Sequence, residues 1–295
     1  MRISNEAIFN TFIKYDKTRQ KDIARHTEEI SSGKRILSPS DDFAAMAKSL
    51  KFKEVNQEVD NYISNINNVK MRQTAAQTAM TNIADAGTEA RSEIVRLLNH
   101  GVLDQEDAEI INKYLQDLKS YMIDQANTKV ADTYIFGGTK TDAPPYSSAT
   151  SGVTYNGNDD EQKVQVARNF EASATFSGKR LGLEEMTKAI DDIKAAIETG
   201  DLTQITDTLL ESFDKGYHKL LHNRSFIGSE EKTVEEFKQQ HEMYKTVYNN
   251  FISSLEDADI TEAIAGLERS KVAYEASMAV FNQNKDLNLL KYLAA

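Results

Sequence analysis

The sequence predicts a mainly α-helical protein, in which long helices from both chain ends form an antiparallel bundle or coiled-coil rod around a small inserted β module. Three observations favour this class. Apolar and small residues recur at alternating steps of four and three between Val55 and Leu97, the spacing that coiled-coil packing requires. Similar seams return after residue 184. Only three prolines and thirteen glycines occur in 295 residues, so few positions break a helix.

The first predicted helix begins near Glu6 and ends at Ser31-Ser32-Gly33, since glycine just past a helix end readily adopts the left-handed conformation. One side of it carries Ile8, Phe12, Tyr15, Ile23 and Ile30. The next helix has a strong start signal, with a serine to cap it, an early proline, and two carboxylates facing the positive end of the helix dipole. That signal is Ser38-Pro39-Ser40-Asp41-Asp42.

The second helix is predicted to be unusually long, because its seam continues without a break to Asn99-His100-Gly101. At 1.5 Å per residue the seam spans roughly 60 Å, more than the width of a small globular domain. Several of its members are small or polar, which suits contact with several helices better than a two-stranded coil. The seam is Val55, Val59, Tyr62, Ile66, Val69, Gln73, Ala76, Met80, Ile83, Gly87, Ala90, Ile94 and Leu97.

A third helix is predicted from Asp104, with a four-three seam, and a β-rich segment follows it from about Thr133. A hairpin is predicted between residues 153–155 and 164–166, on either side of the turn-rich residues 156–159. Residues 172–176 are a further candidate strand. The third-helix seam is Ala108, Ile111, Leu115, Leu118 and Met122.

Helical character returns at about Glu184, and three further amphipathic helices are predicted from spacings of three and four. Together with the N-terminal helices they would complete the bundle. Their apolar positions are Leu202, Ile205, Leu209, Phe213 and Leu220; then Val234, Phe237, His241, Tyr244, Tyr248, Phe251 and Leu255; and then Ile260, Ile264, Leu267, Tyr274, Met278 and Phe281.

The charge of the chain makes several classes of partner unfavourable. A net charge of −11 gives no general attraction to nucleic acid or to anionic membranes, and no stretch is apolar enough to insert as a membrane span. The charge is uneven, because residues 1–53 carry eleven basic and seven acidic side chains, whereas residues 256–295 carry four basic and seven acidic. This complementarity predicts that the two chain ends lie together.

The sequence offers little that is typical of an active site, and it predicts neither an enzyme nor a bound cofactor. Cysteine is absent, which excludes thiolate chemistry. Asp214, His218 and His222 would stack on one helix face and are the best candidate metal ligands, although the glutamate base of zinc proteases is missing. His241 lies in a heptad seam and is predicted to be a packed core histidine.

Motifs at both ends of the chain resemble the bacterial flagellin family. They are Met1-Arg2-Ile3-Ser4, the run Ser31-Ser32-Gly33-Lys34-Arg35-Ile36 with its following Ser38-Pro39-Ser40-Asp41-Asp42, and the ending from Leu255-Glu256-Asp257-Ala258-Asp259 through Asn282-Gln283-Asn284 to Leu289-Leu290. Within the family, the type that joins the flagellar hook to the filament is the more similar. The motifs that carry this finer likeness are Tyr134-Ile135-Phe136-Gly137-Gly138-Thr139-Lys140-Thr141-Asp142, Pro145-Tyr146 and Tyr155-Asn156-Gly157-Asn158-Asp159.

The resemblance implies a structural role in the bacterial flagellum, outside the cell, after export through the flagellar export apparatus without a cleaved signal peptide. It implies terminal coiled-coil segments at 1–40 and 256–295 that are disordered before assembly, a helical rod domain at 41–132 and 184–255, and a β-rich inserted domain at 133–183. By similarity, the assembly interface would comprise Ile8, Phe12, Tyr15, Ile23, Tyr274, Met278, Phe281 and Leu290.

The same resemblance implies the partners. They are the hook-associated protein FlgK on the hook side, flagellin on the filament side, further copies of this chain in a ring, and an export chaperone of the FlgN type. Two other functions stay open at this point. The chain could be filament flagellin itself, or, from a different class, a metal-dependent enzyme that uses Asp214, His218 and His222.

Overall fold

The computed structural model describes residues 2–98, 105–149 and 151–286, and places the side chains of residues 10–98, 105–149 and 151–283. Across these residues the chain forms six α-helices and six short strands. The helices are α1 (Arg2–Ser32), α2 (Phe43–Leu98), α3 (Gln105–Ala126), α4 (Leu183–Glu198), α5 (Asp207–Glu256) and α6 (Ile260–Asp286). The strands are β1 (Lys129–Val130), β2 (Thr133–Tyr134), β3 (Tyr146–Ser148), β4 (Val153–Tyr155), β5 (Lys163–Ala167) and β6 (Phe170–Ser173).

This element order confirms the predicted class, a mainly α-helical chain with a small β module inserted between its helical halves. The chain divides into two compact units. Met1–Glu58 and Tyr244–Ala295 form the terminal unit, and Val59–Met243 form the central unit. Both α2 and α5 contribute residues to each unit. The domain boundaries predicted from the sequence lie elsewhere, at residues 40/41 and 255/256, and they stay predictions.

In the terminal unit α1 and α6 pair in antiparallel fashion. Phe12 near the start of α1 stacks on Phe281 near the end of α6, with ring centroids 4.2 Å apart. Farther along, His26 lies against Gly266. Where α1 ends, the amide of Arg35 donates to the carbonyl of Glu256 at 2.6 Å. The two chain ends therefore lie together, as their complementary charge predicted.

The predicted end of α1 is confirmed, and the predicted cap of α2 is corrected. Gly33 has φ +69° and its amide donates to the Glu29 carbonyl, so it closes α1. The cap of α2 is Asp42, whose carboxylate accepts the Ala45 amide at 2.9 Å. Asp41 instead accepts the amides of Leu37 and Ser38 and holds the preceding turn. The serine was expected as the cap, but it lies in that turn.

In the central unit the long seam of α2 is buried as predicted. Its small members admit several neighbours, since the same hydrophobic core contains residues of α2, α3, α4 and α5. The predicted seam of α3 is buried in that core too. The buried members of the seam are Val59, Ile66, Val69, Gln73, Ala76, Met80, Ile83, Gly87, Ala90, Ile94 and Leu97.

The prediction of two helices between Leu202 and Leu255 is wrong, because α5 runs continuously from Asp207 to Glu256. Leu202 lies in a short 3-10 turn before it, Leu202–Gln204. The interval between the two predicted segments, residues 221–233, contains Gly228. A helix interior tolerates an isolated glycine at a cost of about 1 kcal/mol, and burial of Ile227 and Val234 on either side outweighs that cost.

The β module consists of three antiparallel two-stranded pairs, β1–β2, β3–β4 and β5–β6. The predicted hairpin between residues 153–155 and 164–166 is wrong, since Tyr155 pairs with Tyr146 and Val164 pairs with Ala172. Residues 156–159 do turn the chain, but tertiary hydrogen bonds hold them: the amide of Asn156 donates to Pro145 and that of Asn158 to Gly137.

Helix side chains satisfy the backbone of the β5–β6 pair. Asn65 donates to the Gln165 carbonyl at 2.8 Å, Glu230 accepts the Ser173 amide at 2.6 Å, and His241 Nε2 lies 2.9 Å from the Val166 carbonyl. The ring of His241 is buried and stacks on Tyr62. This confirms the prediction of a packed core histidine. In the described part of the chain, no helix combines the length and the apolar character that a membrane span needs.

Replacing Ile83 by alanine should lower the free energy of unfolding by about 2–5 kcal/mol, because the side chain is fully buried and its loss leaves a cavity. Denaturant titration of the full chain measures this. Met71 lies on the same helix but is 49% exposed, so Met71→Ala is the matched control and should change stability by no more than about 0.5 kcal/mol. Equal losses in the two variants would contradict the packing described above.

Candidate assembly interface

The seam between α1 and α6 is lined with small residues on the α6 side. They recur at steps of three and four and let the two backbones approach closely. Longer side chains flank this stripe and cover its edges, among them Leu267 and Tyr274. The stripe is Ala263, Gly266, Ser270, Ala273 and Ser277.

The opposing seam of α1 mixes apolar and polar residues. It is spaced by fours and threes through Phe12, Asp16, Arg19, Ile23, His26 and Ile30, all of them half-buried. Gly266 lies close against His26, since a Cβ at that position would lie 2.8 Å from the ring atoms Cε1 and Nε2 and the ring would have to shift. The imidazole Nδ1 lies 2.9 Å from a Glu29 carboxylate oxygen, which holds the ring in place. We expect this contact to favour one register of the two helices.

The α1–α6 pair buries little surface by itself. Among the described side-chain positions of α1 and α6, only Glu29, Ala263 and Gly266 are buried. Phe12, Tyr274, Met278 and Phe281 are all half-buried. Since buried apolar area supplies most of the free energy of packing, the pair is held far more weakly than the core of the central unit.

A cluster of charges joins the end of α1 to the junction of α5 and α6. The carboxylate of Glu256, 5% exposed, accepts hydrogen bonds from Ser49 and Lys53 and lies 3.2 Å from Lys34 Nζ. Lys34 also contacts Asp257 at 2.8 Å. We call these five residues the Glu256 cluster. Backbone bonds reinforce it, with the amide of Ala258 donating to the Gly33 carbonyl at 2.9 Å.

The environment of Glu256 favours its charged form. Burial by itself would raise the pKa of this carboxyl, but hydrogen bonds from Lys53, Ser49 and Lys34 outweigh burial and hold the pKa below its ordinary value. The pKa of Lys34 is raised, chiefly by its hydrogen bond to Asp257. Both shifts favour the charged forms of Glu256 and Lys34, so this pair stabilises the junction at neutral pH.

The structure brings the predicted N-terminal and C-terminal interface segments together, but it places their residues unequally. Phe12, Ile23, Tyr274, Met278 and Phe281 line the α1–α6 pair. Tyr15 lies outside the seam, which passes through Asp16, and its side chain is 56% exposed. The side chains of Ile8 and Leu290 lie outside the described residues. The expected contribution of all eight to assembly stays a prediction.

The sequence analysis missed His26, Gly266 and the Glu256 cluster. The small-residue stripe of α6 recurs at the same three-four spacing as an apolar seam, so a search for close helix contacts could have found it. The charge difference between the chain ends predicted that they lie together, and it corresponds to the contacts of Lys34 and Lys53 with Glu256.

The candidate metal ligands are not arranged around a common point. Both carboxylate oxygens of Asp214 accept from Arg91, at 2.7 and 2.9 Å, and the side chains of His218 and His222 are exposed. Within the part of the chain that the structure describes, no three histidine or acidic side chains are placed to hold a metal ion. The prediction of a metal-dependent enzyme therefore gains no support from this helix face.

Comparison with known proteins gives a family match and full-length relatives. Residues 3–141 match the family described as the bacterial flagellin N-terminal helical region. Over its whole length the chain is similar to flagellar hook-associated protein 3 of Escherichia coli strain K12, with 22% identity over 318 residues that cover 99% of both chains.

Solved structures share the fold. The crystal structure of Bacillus cereus FlgL aligns with a TM-score of 0.61 and 21% identity, covering 69% of this chain and 99% of that one. The flagellar junction protein FlgL of Legionella pneumophila aligns with a TM-score of 0.61 and 12% identity, covering 71% of this chain and 100% of that one. At these identities the alignments support the architecture of the chain.

Replacing Gly266 by alanine should weaken the α1–α6 pair by about 1–3 kcal/mol, because the new Cβ overlaps the His26 ring. Hydrogen exchange of the α1 amides around His26 measures this loss as faster local opening. Adding His26→Ala to Gly266→Ala should recover part of the protection, since the overlap is then removed. If the double variant exchanges as fast as the sum of the two single variants predicts, the contact does not set the register.

The junction should open as the pH falls. Because the folded-state pKa of Glu256 is depressed, its contribution to stability is present above the ordinary glutamate value of 4.5 and is lost as the pH falls through the lower folded-state value. Hydrogen exchange at Arg35 and Ala258 between pH 7 and 3 measures this opening. Glu256→Gln should cost about 1.5–3 kcal/mol at pH 7 and reduce the pH dependence below 4.5, while Asp257, whose pKa Lys34 also lowers, keeps part of it. Glu262→Gln, an exposed change on α6, should leave the profile of the parent protein unchanged.

Proposed function

We infer that this chain, a member of the flagellin family through residues 3–141, is a structural protein of the bacterial flagellum that joins the hook to the filament. Its full-length relatives carry the name flagellar hook-associated protein 3, and the solved structures that share its fold include a flagellar junction protein. The sequence-based assignment to this family and role is confirmed. These matches favour the junction role over the alternatives of filament flagellin and a metal-dependent enzyme.

One observation carries the mechanism. The α1–α6 pair leaves its apolar residues half-buried, whereas the core of the central unit is fully buried. Apolar surface that finds no complete partner within one copy is stabilised when neighbouring copies cover it, so assembly and ordering of the chain ends are coupled. The protein acts by packing, and nothing in this role requires a catalytic site or a cofactor.

We further propose how the chain is divided in that role. Residues 1–40 and 256–295 would become fully ordered only on assembly, residues 41–132 and 184–255 would form the rod layer, and residues 133–183 would form the inserted domain. The low burial in α1 and α6 supports the first part of this proposal. Phe12, Ile23, Tyr274, Met278 and Phe281 would then be covered by neighbouring copies, together with Ile8, Tyr15 and Leu290.

The partners follow from the position at the junction. A hook-associated role with neighbouring flagellar components is common to the relatives. We propose contact with FlgK on the hook side and with flagellin on the filament side, self-association in a ring, and delivery by a chaperone of the FlgN type. Export through the flagellar apparatus, without a cleaved signal peptide, belongs to the same proposal.

Cells that lack this chain should build hooks but shed flagellin into the medium, because the filament then has no junction on which to assemble. Immunoblots of flagellin in the culture supernatant, with electron microscopy of the hooks, measure this outcome. Restoring the gene should return flagellin to the cell-bound fraction. Filaments of normal length and number in the deletion strain would refute the junction role.

Replacing Phe281 by alanine should reduce filament attachment in cells while shifting the melting temperature of the purified chain by less than about 2 °C. The side chain stacks on Phe12 but stays half-buried. We therefore expect it to stabilise contacts between copies more than the fold of one copy. Retained flagella and thermal unfolding are the two readouts. A large loss of thermal stability with normal attachment would identify Phe281 as an ordinary core residue.

A further inference from the structure

A row of aromatic rings lies on the terminal unit, outside the α1–α6 pair. Phe52 of α2 stacks between two residues of α5, with its ring centroid 5.2 Å from that of Phe251 and 6.1 Å from that of Tyr248. Tyr248 in turn contacts Tyr244, at 6.2 Å. We call these four residues the aromatic row. Three of them follow the seam of α5 that is buried farther upstream at Val234 and His241.

The aromatic row is only partly covered within one copy. Phe251 is 48% exposed, Tyr244 is 42% exposed, and Val247 beside them is 41% exposed. These three residues are spaced at three and four, so they share one face of α5. Contiguous exposed aromatic and aliphatic side chains are typical of surfaces that bind another protein, in which a few such anchors supply most of the binding energy.

The surroundings of the row lack charge. From residue 244 to residue 255 the only charged side chain is that of Lys245. Depletion of charged residues is characteristic of the buried centre of an interface, whereas its rim stays polar. A partner held here through charge would find little to bind, so the surface fits another uncharged, apolar surface.

The distribution of charge between the two units favours a second copy as that partner. The terminal unit carries sixteen basic and sixteen acidic side chains, so the entire net charge of −11 belongs to the central unit. Two copies that meet through their central units would oppose like charges, whereas their terminal units meet without net repulsion. The terminal unit also carries exposed apolar residues on α6 that could face the row, notably Val272 at 65% and Val280 at 55% exposed.

We propose that the face formed by the aromatic row and Val247 is where a second copy of this chain docks in the assembled ring. The inference rests on the proposed junction function and names the surface that self-association uses. Phe251 and Tyr244 act as anchors on the receiving copy, and the neutral terminal unit of the next copy covers them. This face is separate from the α1–α6 seam, so the two can be tested independently.

Photo-cross-linking in intact flagella tests which molecule covers the row. Val247 is replaced by the photoreactive residue p-benzoylphenylalanine in the full chain, and Ile110, 64% exposed on α3 of the central unit, is replaced in a matched control. Irradiation should give a product of two copies of this chain from position 247, and at least about tenfold less of it from position 110. A product at position 247 with a different polypeptide, or none, would overturn the proposal.

A second experiment does not depend on the probe. The double variant Val247→Ser with Phe251→Ser should lower the number of copies retained at the hook end by about tenfold or more, the effect of losing a binding anchor. The purified variant should remain folded, with a melting temperature lowered by only a few degrees, since about half of each side chain is already exposed within one copy. Ile110→Ser is the control and should be retained normally.

The two proposals fail in different ways. If the deletion strain keeps its filaments, the junction function itself is wrong. If the deletion strain loses its filaments and the double variant restores them fully, with normal retention, the function stands and the aromatic row is not the docking face. If the double variant unfolds, the cross-link from position 247 alone tests whether the aromatic row is the docking face.

Discussion

The feature on which this structure depends is an unequal burial of apolar surface. The central unit encloses a core to which four helices contribute, with residues such as Ile83 and Leu115 fully buried. The α1–α6 pair is held by a narrow stripe of small residues and by half-buried rings such as those of Phe12 and Phe281. Because hydrophobic stabilisation scales with the area removed from water, packing within one copy stabilises the central unit more than the α1–α6 pair, and the pair has more to gain from a neighbour. A protein that joins other components needs both a stable core and a surface that a neighbour can cover.

The terminal and central units also differ in net charge. In the terminal unit the basic and acidic side chains balance, and the Glu256 cluster links α2 to the ends of α1, α5 and α6 through opposite charges. The central unit carries the excess of acidic residues, so its net charge is negative. Close packing of many identical chains is therefore compatible with the terminal unit, which also carries the exposed aromatic row.

Much of the fold was predictable because long seams are local patterns. A spacing of threes and fours over many turns specifies an α-helix and its buried face, which is why the seam from Ile66 to Leu97 agrees with the structure. A strand of three to five residues repeats its pattern too few times to specify which strand it pairs with. Residues 153–155 were paired with the wrong partner, because the choice between Tyr146 and Val164 depends on tertiary hydrogen bonds around Asn156 and Asn158. Likewise two helices were predicted on either side of residues 221–233, although buried Ile227 continues the seam through that interval.

By itself, the sequence determined the helical class, the inserted β module, the pairing of oppositely charged chain ends and the resemblance to flagellins. Each of these follows from a local property of the sequence, namely its periodicity, its composition or a short motif. Only the tertiary structure decided which α1 residues face α6, with Asp16 and His26 in the seam and Tyr15 outside it. It also decided that the Glu256 carboxylate contacts Lys34, Lys53 and Ser49, which lie far from it in the sequence. The physical reason is that register and close approach depend on side chains more than two hundred residues apart, such as His26 and Gly266, whose fit no local pattern records.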